Sequence, residues 1–234
     1  MGPVDLIRRL LSIRNERGEP TSAHFRISAR RAVRRLLTER DCPILDVAGR
    51  EGLLFDPRVS PLARLTTVLD IEEEPLHEAK RYWEGLGSFV CGDLTRLPFR
   101  DGSFRTSVCV GTFYNLHGSG IVKAGLREMG RVTRPGGRII CEFRNSRNPL
   151  MRFASEHARE YDPTFGDLPF ETYSLDAIRG LCAEAGLGIV RIVPRMPPVN
   201  PLALLFIVET TPLDGPGTSA KHKSGYPGKE PGDA

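Results

Sequence analysis

Residues 122–143 read VKAGLREMGRVTRPGGRIICEF. Val122, Leu126, Met129 and Val132 recur at three- and four-residue intervals, which puts them on one face of a helix. Pro135-Gly136-Gly137 stops that helix, because proline cannot continue it and glycine favours the turn. The run from Arg138 to Phe143 then reads as a strand. A helix that feeds directly into a strand is half of a β-α-β unit, and such units build parallel sheets.

The same alternation extends to both sides. Further strand-like runs occupy 44–47, 65–69, 89–91, 106–111, 188–193 and 202–210. Ser174 to Ala185 reads as another helix, with Ile178, Leu181, Cys182 and Ala185 inward and Gly186 as its C-terminal cap. The expected fold is α/β: a doubly wound, seven-stranded, mostly parallel sheet. Between the last two strands lies only Pro194-Arg195-Met196-Pro197-Pro198, with no helical pattern. Those strands should therefore pair antiparallel and give the sheet an antiparallel edge strand.

Upstream, Leu6, Ile7, Leu10 and Leu11 share one helical face. A second helix is expected after Ser28, a suitable N-cap, with Ala29, Ala32, Val33, Leu36 and Leu37 inward. Its arginines, 30, 31, 34 and 35, fall on the other side. Residues 1–40 hold ten arginines against four acids, although the net charge of the whole chain is only +4. Such a front end suits phosphate, nucleic acid or an acidic partner; the plainer reading is a solvated helix face. The expected organisation is an Arg-rich helical extension or lid at 1–40 and an α/β domain at 41–211 carrying an insertion at 145–173. A disordered tail follows at 212–234, where nine of 23 residues are Pro or Gly.

Five cysteines, 42, 91, 109, 141 and 182, form no CxxC pair. Cys91, Cys109 and Cys141 lie in or beside strand-like runs, where cysteine behaves as a small buried hydrophobe. This pattern favours neither a disulfide framework nor a metal site, and it fits a reducing compartment. Arg8 and Arg9 interrupt the only early apolar stretch, which disfavours a secretory signal. The longest apolar run, Leu202 to Val208, is too short to span a bilayer. The expected location is the cytoplasm.

In a doubly wound sheet, ligands bind at the carboxyl ends of the strands, near the point where strand order reverses. Asp46 closes the first strand, Asp70 closes the second, and Asp93 follows the third. Phe113 to His117 follow the fourth, and Glu142 to Arg147 follow the fifth. Each acid also has a plain structural use. Asp46 could cap turn amides, Asp70 the helix starting near Glu72, and Asp93 the turn at Gly92. Three acids in register at successive strand ends nevertheless point to a ligand. No GxGxxG follows the first strand, which disfavours NAD.

The blocks GDLTRLPFRDGSF (92–104), TFYNLHG (112–118) and LREMGRVTRPGG (126–137) resemble the middle of the class I S-adenosylmethionine-dependent methyltransferases, in their small-molecule branch. The resemblance is strong over about residues 40 to 145 and looser to 211, where only the order of strands and helices matches. It implies that Asp70 holds ribose hydroxyls, with Ile71 beside it, and that Asp93 accepts from the adenine amino group, with Leu94 against the ring. Asp46, Ala48, Gly49 and Gly52 would shape the loop for the methionine part. That loop departs from the family's D-x-G-x-G-x-G. Here it reads Asp46-Val47-Ala48-Gly49-Arg50-Glu51-Gly52, so only the third glycine is kept. Ala48 is a mild change if its φ is negative, and Gly49 could supply freedom one position over. Arg50 must point away or intrude, unless it pairs with the cofactor carboxylate, and Glu51 would repel that same group. Pro57 and Pro61 forbid one long helix after the loop. Arg105 replaces an aspartate that the family has at the foot of the fourth strand, a structural departure.

The implied activity is transfer of a methyl group to a small organic acceptor. In-line displacement at an activated carbon depends mainly on alignment. Tyr114 and His117 are the candidate catalytic residues, His117 as a proton acceptor, although it could equally be a loop histidine capping the next helix. Asn115, Arg144, Asn145 and Arg147 are the candidate substrate contacts, and their guanidinium groups suit a carboxylate or phosphate on the acceptor. The insertion, rich in aromatics (Phe153, Tyr161, Phe165, Phe170, Tyr173), and Phe25 could help to close the site. The degenerate loop keeps open a second reading, a non-catalytic binding or scaffold protein of the same fold. A nucleic-acid role is disfavoured, because no NPPY-like or interleaved aromatic-basic motif accompanies the arginines.

Overall fold

The computed structural model describes residues 13–14, 20–21, 24–55, 57–58, 60–157, 168–195 and 202–213. The first expected helix (Leu6 to Leu11), the insertion residues Ala158, Tyr161 and Phe165, and the tail beyond 213 lie outside them. Near the start, β1 (Ile13–Arg14) and β2 (Pro20–Thr21) form a small antiparallel pair. Helix α1 (His24–Arg34) follows. It begins four residues before the expected N-cap, so Ser28 sits inside the helix rather than at its start.

Seven strands then form one sheet: β3 (Ile44–Val47), β4 (Thr66–Asp70), β5 (Ser88–Cys91), β6 (Phe104–Cys109), β7 (Thr133–Arg144), β8 (Leu187–Arg195) and β9 (Leu205–Pro212). Their spatial order is β5-β4-β3-β6-β7-β9-β8. From β5 through β7 all neighbours are parallel, whereas β9 runs antiparallel to both β7 and β8. The antiparallel pair falls at one edge, as the lack of a helical pattern in the sequence between the two strands predicts, with β9 just inside β8. Pro212, assigned to the tail by composition, closes β9. Between the strands lie α2 (Glu73–Tyr82), α3 (Ser119–Val132), α4 (Pro149–Glu156) and α5 (Leu175–Glu184). Ser174 caps α5 through its hydroxyl, and Gly186 leaves it at φ 76°. Among the described residues no α-helix lies between β3 and β4, in keeping with the two prolines that forbid one long helix there; the segment forms turns, a bend and a short 3-10 segment, Pro61–Leu65.

Strand parity sorts the core into two layers. Successive strand residues point to opposite faces. Ile44, Val68, Val108 and Ile140 pack on one face with Ala29, Ala32 and Val33 of α1, Leu76 and Trp83 near α2, and Met151 and Ala154 of α4. Leu45, Val47, Cys109, Ile139 and Cys141 pack on the other with Leu126 and Met129 of α3 and Ile178 and Cys182 of α5. This parity has a consequence for the polar residues. Asp46 lies two residues after Ile44, Asp70 two after Val68, and Glu142 and Arg144 two and four after Ile140. All four therefore face the α1 side. Cys109, Cys141 and Cys182 are buried as expected, but Cys91 is exposed, because β5 is an edge strand.

The glycines of Pro135-Gly136-Gly137 are structural. Gly136 has φ 67°, and a Cβ on Gly137 would come within 2.6 Å of the Arg105 carbonyl oxygen. Among the described residues no helix is long and apolar enough to cross a membrane.

Candidate functional site

Strand order reverses between β3 and β6, so the crevice expected to receive a ligand opens at their carboxyl ends. The chain leaving β3 takes a distinctive path. Ala48, Arg50 and Gly52 have φ values of 55°, 49° and 68°. Positions 48, 50 and 52 are the three that carry glycine in D-x-G-x-G-x-G. The condition under which Ala48 would be a mild change is not met, and the backbone holds the glycine-type conformation at 48 and 50 without the glycines. For an L-residue that conformation costs about 1–2 kcal/mol.

Contacts from outside the loop impose it. The Gly49 amide donates to the Leu69 carbonyl at 3.1 Å, and the Arg50 amide donates to Asp70 Oδ2 at 2.9 Å. Gly49 is not a source of freedom but the tightest point. A Cβ there would lie 2.7 Å from Asp46 Oδ2 and 2.8 Å from Val68 Cγ1. Behind the loop, Trp83 closes against Gly52, whose added Cβ would lie 2.8 Å from the indole ring.

The Arg50 side chain turns away from the loop. Its Nη1 donates to Glu72 Oε1 at 3.0 Å, and its Nε lies 3.5 Å from Glu51 Oε1. Both Arg50 and Glu72 are substantially exposed, so this ion pair is worth only about 0–1 kcal/mol. Arg50→Gly should therefore leave stability unchanged or raise it by up to about 1 kcal/mol, as relief of the left-handed backbone offsets the lost pair. Urea denaturation checks this. A clear loss of stability would mean that the Glu72 pair, not the backbone contacts, sets the loop.

Asp70 is buried, and its two oxygens accept from different amides: Oδ2 from Arg50 and Oδ1 from Glu72, the latter at 3.0 Å. The structural use envisaged for Asp70 is thus real, since Glu72 immediately precedes α2. An ionised carboxylate has about four lone-pair sites, so two amides do not exhaust it. Ile71, next in sequence, is 68% exposed. Asp93 is exposed and accepts from the Thr95 amide at 2.7 Å, leaving its second oxygen outside that turn. Leu94 packs against Gly125 of α3. An acid, an apolar side chain and a second acid thus stand at adjacent strand ends. Two acceptors flanking an apolar side chain suit a ribose joined to a flat heteroaromatic base, with hydrogen bonds at the edges and apolar contact on a face.

On the β6 side the polar residues form a second group, and α1 lies over it. Arg26 crosses Gly111, with its Cγ 3.3 Å from where a Gly111 Cβ would stand. The Gly111 amide donates to Glu142 Oε2 at 3.0 Å, and Glu142 Oε1 lies 3.1 Å from Arg144 Nε. The Arg144 guanidinium covers the Tyr114 ring at 4.6 Å, and Phe170 meets that ring at 5.3 Å. Arg30, one turn along α1 from Arg26, reaches the neighbourhood of Asp46, Glu51 and Tyr114. Its place is not the solvated side that the apolar stripe implies. Ala29, Ala32 and Val33 anchor the helix, and residues 26 and 30 share the face turned to the strand ends.

Burial dominates the electrostatics. Removed from water, Asp46 has its pKa pushed up to about 7, with Arg30 pulling it down and Asp70 adding to the rise. Burial likewise raises Glu142, against the opposing pull of Arg144, the Gly111 amide, Arg30 and Arg26. Burial lowers Arg30, helped by the like charge of Arg26, while Asp46, Glu51 and Tyr114 resist.

The expected substrate contacts divide. Arg144 does not form an open basic mouth; it is 2% exposed and committed to Glu142 and Tyr114. Asn145 is also buried, its Nδ2 donating to the Ala203 carbonyl and its Oδ1 accepting from the Arg147 amide. The segment leading into β9 covers this end of β7, which explains both. Arg147 is exposed and lies 3.4 Å from Asp176. Tyr114 is buried beside the Arg144 guanidinium, whereas His117 is exposed in the loop before α3. His117 does not cap that helix; Gly118 holds the cap position, with no side-chain cap bond. Asn115 has a buried Oδ1 without a hydrogen-bond partner among the described residues. Of the insertion, α4 packs Met151 and Ala154 into the core, and Phe153 stacks on His157 at 4.0 Å. The sequence marks Glu142 only as a strand-end position, and the placement of Arg26 and Arg30 beside the crevice emerges only from the structure. The four-residue spacing of Arg26 and Arg30 was the available signal. Among the described residues no cluster of His, Cys, Asp or Glu could hold a metal ion.

Comparison with known proteins agrees with this layout. Residues 45–141 match the family described as a methyltransferase domain. Demethylmenaquinone methyltransferase of Mycolicibacterium vanbaalenii is 52% identical over 63 residues, 26% of this chain and 26% of that protein. The mitochondrial 2-methoxy-6-polyprenyl-1,4-benzoquinol methylase of Dictyostelium discoideum is 32% identical over 120 residues, 47% of this chain and 37% of that protein. The chain thus spans between about a quarter and two fifths of the length of these relatives. Among solved structures, magnesium protoporphyrin IX methyltransferase from Synechocystis with bound SAH superposes with a TM-score of 0.61 at 17% identity, over 89% of this chain and 93% of that one. A possible histamine N-methyltransferase from Thermotoga maritima gives 0.61 at 16% identity, over 88% and 91%.

Proposed function

We propose that the chain, whose residues 45–141 match a methyltransferase domain, transfers a methyl group from S-adenosylmethionine to a small organic acceptor. The observation that carries this reading is the backbone of residues 48–52. It keeps left-handed conformations at the three glycine positions although two of the glycines are gone, while Arg50 swings out to Glu72. A loop with no ligand to receive would have little reason to retain such strain.

In this reading Asp70 accepts from the ribose hydroxyls while its amide bonds hold the loop in shape. Asp93 and the exposed Ile71 and Leu94 receive the adenine, and residues 46–52 enclose the methionine part. The cofactor supplies a methyl group already activated on a sulfonium, so the protein's task is alignment and exclusion of water. Tyr114 and Asn115 line the acceptor side, and the orphan Asn115 Oδ1 offers an acceptor for a substrate hydroxyl or amine. His117 would reach a substrate only if the loop before α3 turns inward. The matched relatives are named for quinone substrates, which favours a ring-bearing hydroxyl or carbon nucleophile as acceptor class. The carboxylate- or phosphate-bearing acceptor loses its main support, because Arg144 is already committed within the protein.

Calorimetric titration with S-adenosylmethionine tests the reading. Wild-type protein should bind; Asp70→Ala should lose about a hundredfold in affinity, and Asp93→Ala should lose less, since Asp93 is exposed. Absence of wild-type binding at millimolar cofactor would leave a domain of this fold that serves as a binding module.

A further inference from the structure

We propose that Arg30 of α1 is the counter-ion for the carboxylate at the amino-acid end of S-adenosylmethionine, taking the place of the helix that does not follow the first loop. This inference rests on the cofactor reading above.

Three observations lead to it. A helix starting after a nucleotide-binding loop presents unpaired amides and a positive dipole end to an anionic ligand. Here residues 51–55 form turns, and no α-helix intervenes before β4 among the described residues, so that source of positive potential is missing. The loop's own cation does not replace it, because Arg50 is directed to Glu72 and Glu51. Left to itself, the region around the loop would present Asp46, Glu51 and Asp70 to an incoming carboxylate, and three acids repel it. Helix α1 brings the missing charge. It is fastened by Ala29, Ala32 and Val33, which are in the core, and it lays Arg26 over Gly111 at the end of β6. Arg30, one turn further on, shares the helix face that Arg26 lays on Gly111, and Asp46 and Glu51 act on its charge. Arg30 acts on both sides of the crevice, on Glu142 as well as on Asp46 at the loop, and it is the arginine of this helix that Asp46 feels. A guanidinium can bind a carboxylate through two parallel hydrogen bonds, which fixes orientation as well as charge.

The test uses two ligands that differ only in the carboxylate: S-adenosylhomocysteine and its decarboxylated analogue, S-adenosyl-3-thiopropylamine. Their affinities are measured by calorimetry for wild-type protein, Arg30→Gln and Arg30→Lys. Arg30→Gln should weaken S-adenosylhomocysteine by about tenfold or more and the decarboxylated analogue by less than about threefold. Arg30→Lys should recover part of the lost affinity, because the charge remains while the bidentate geometry does not. Equal weakening of both ligands by Arg30→Gln would overturn the proposal, since Arg30 would then act on the pocket as a whole. Unchanged affinity for both would overturn it as well. If the wild type binds neither ligand, the cofactor reading itself fails, an outcome distinct from either of those.

Discussion

Trp83→Ala should destabilise the protein by about 3–5 kcal/mol, the range for removing a fully buried aromatic side chain. Trp83 has no exposed surface and meets Phe89 edge to face at 5.3 Å. It also closes on Gly52 and Gly87, where added Cβ atoms would stand 2.8 and 2.9 Å from the ring. Both glycines have positive φ, so the backbone at two separate turns is shaped around this one indole. Trp83→Phe should cost much less, because the ring-on-glycine contact is largely kept. The indole Nε1 also has no hydrogen-bond partner among the described residues, so its loss removes no bond. Urea denaturation of the two variants reads the difference. If Phe costs as much as Ala, the bond-free account of the indole is wrong.

Asp46→Asn should produce the second large effect, visible only as a function of pH. The buried carboxyl titrates at about 7 in the folded protein, against an ordinary value of 3.8. Because the folded value is the higher one, protonated Asp46 favours folding. Its contribution is complete below about pH 4 and is lost as pH rises through 7. At pH 8 the ionised carboxylate therefore burdens the ligand-free protein by up to roughly 4 kcal/mol. The amide of the variant carries no charge at any pH, so the variant should be more stable than the wild type at pH 8 and nearly equal to it at pH 4. Thermal melts across that interval decide it. A difference that does not change with pH would show that Arg30 keeps Asp46 ionised throughout.

Most of the sheet is legible in the sequence because buried parallel strands are nearly continuous apolar runs, and β3 is delimited to the residue. That no single long helix follows β3 is legible too, since Pro57 and Pro61 speak through covalent geometry alone. What the sequence does not disclose is anything decided between elements. Ala48 takes a left-handed conformation because of Leu69 and Asp70, which are twenty or more residues away, and no local preference foretells that. Arg144 and Asn145 look like the open end of a strand until β9 is inserted beside β7 and covers them. Ser28 satisfies the local rule for a helix start, yet the packing of α1 carries the helix one turn further back. Arg30 is harder still. An arginine opposite an apolar stripe reads as solvated, and only the position of the helix over two acidic strand ends reveals its surroundings.

Strand parity holds more information than the apolar runs alone convey. Asp46, Asp70, Glu142 and Arg144 share the phase of Ile44, Val68 and Ile140, so a single face of the sheet gathers these four polar strand-end groups. Given the sheet order, that face is also the one on which an N-terminal helix can lie.

The single tryptophan of the chain stands directly behind the first loop. Its fluorescence therefore comes from one site and one environment, with no background from other indoles. A rearrangement of the loop that moves Gly52 changes what touches that ring, so the loop carries its own built-in optical reporter, and such movements can be followed in unlabelled protein by emission wavelength and quenching alone.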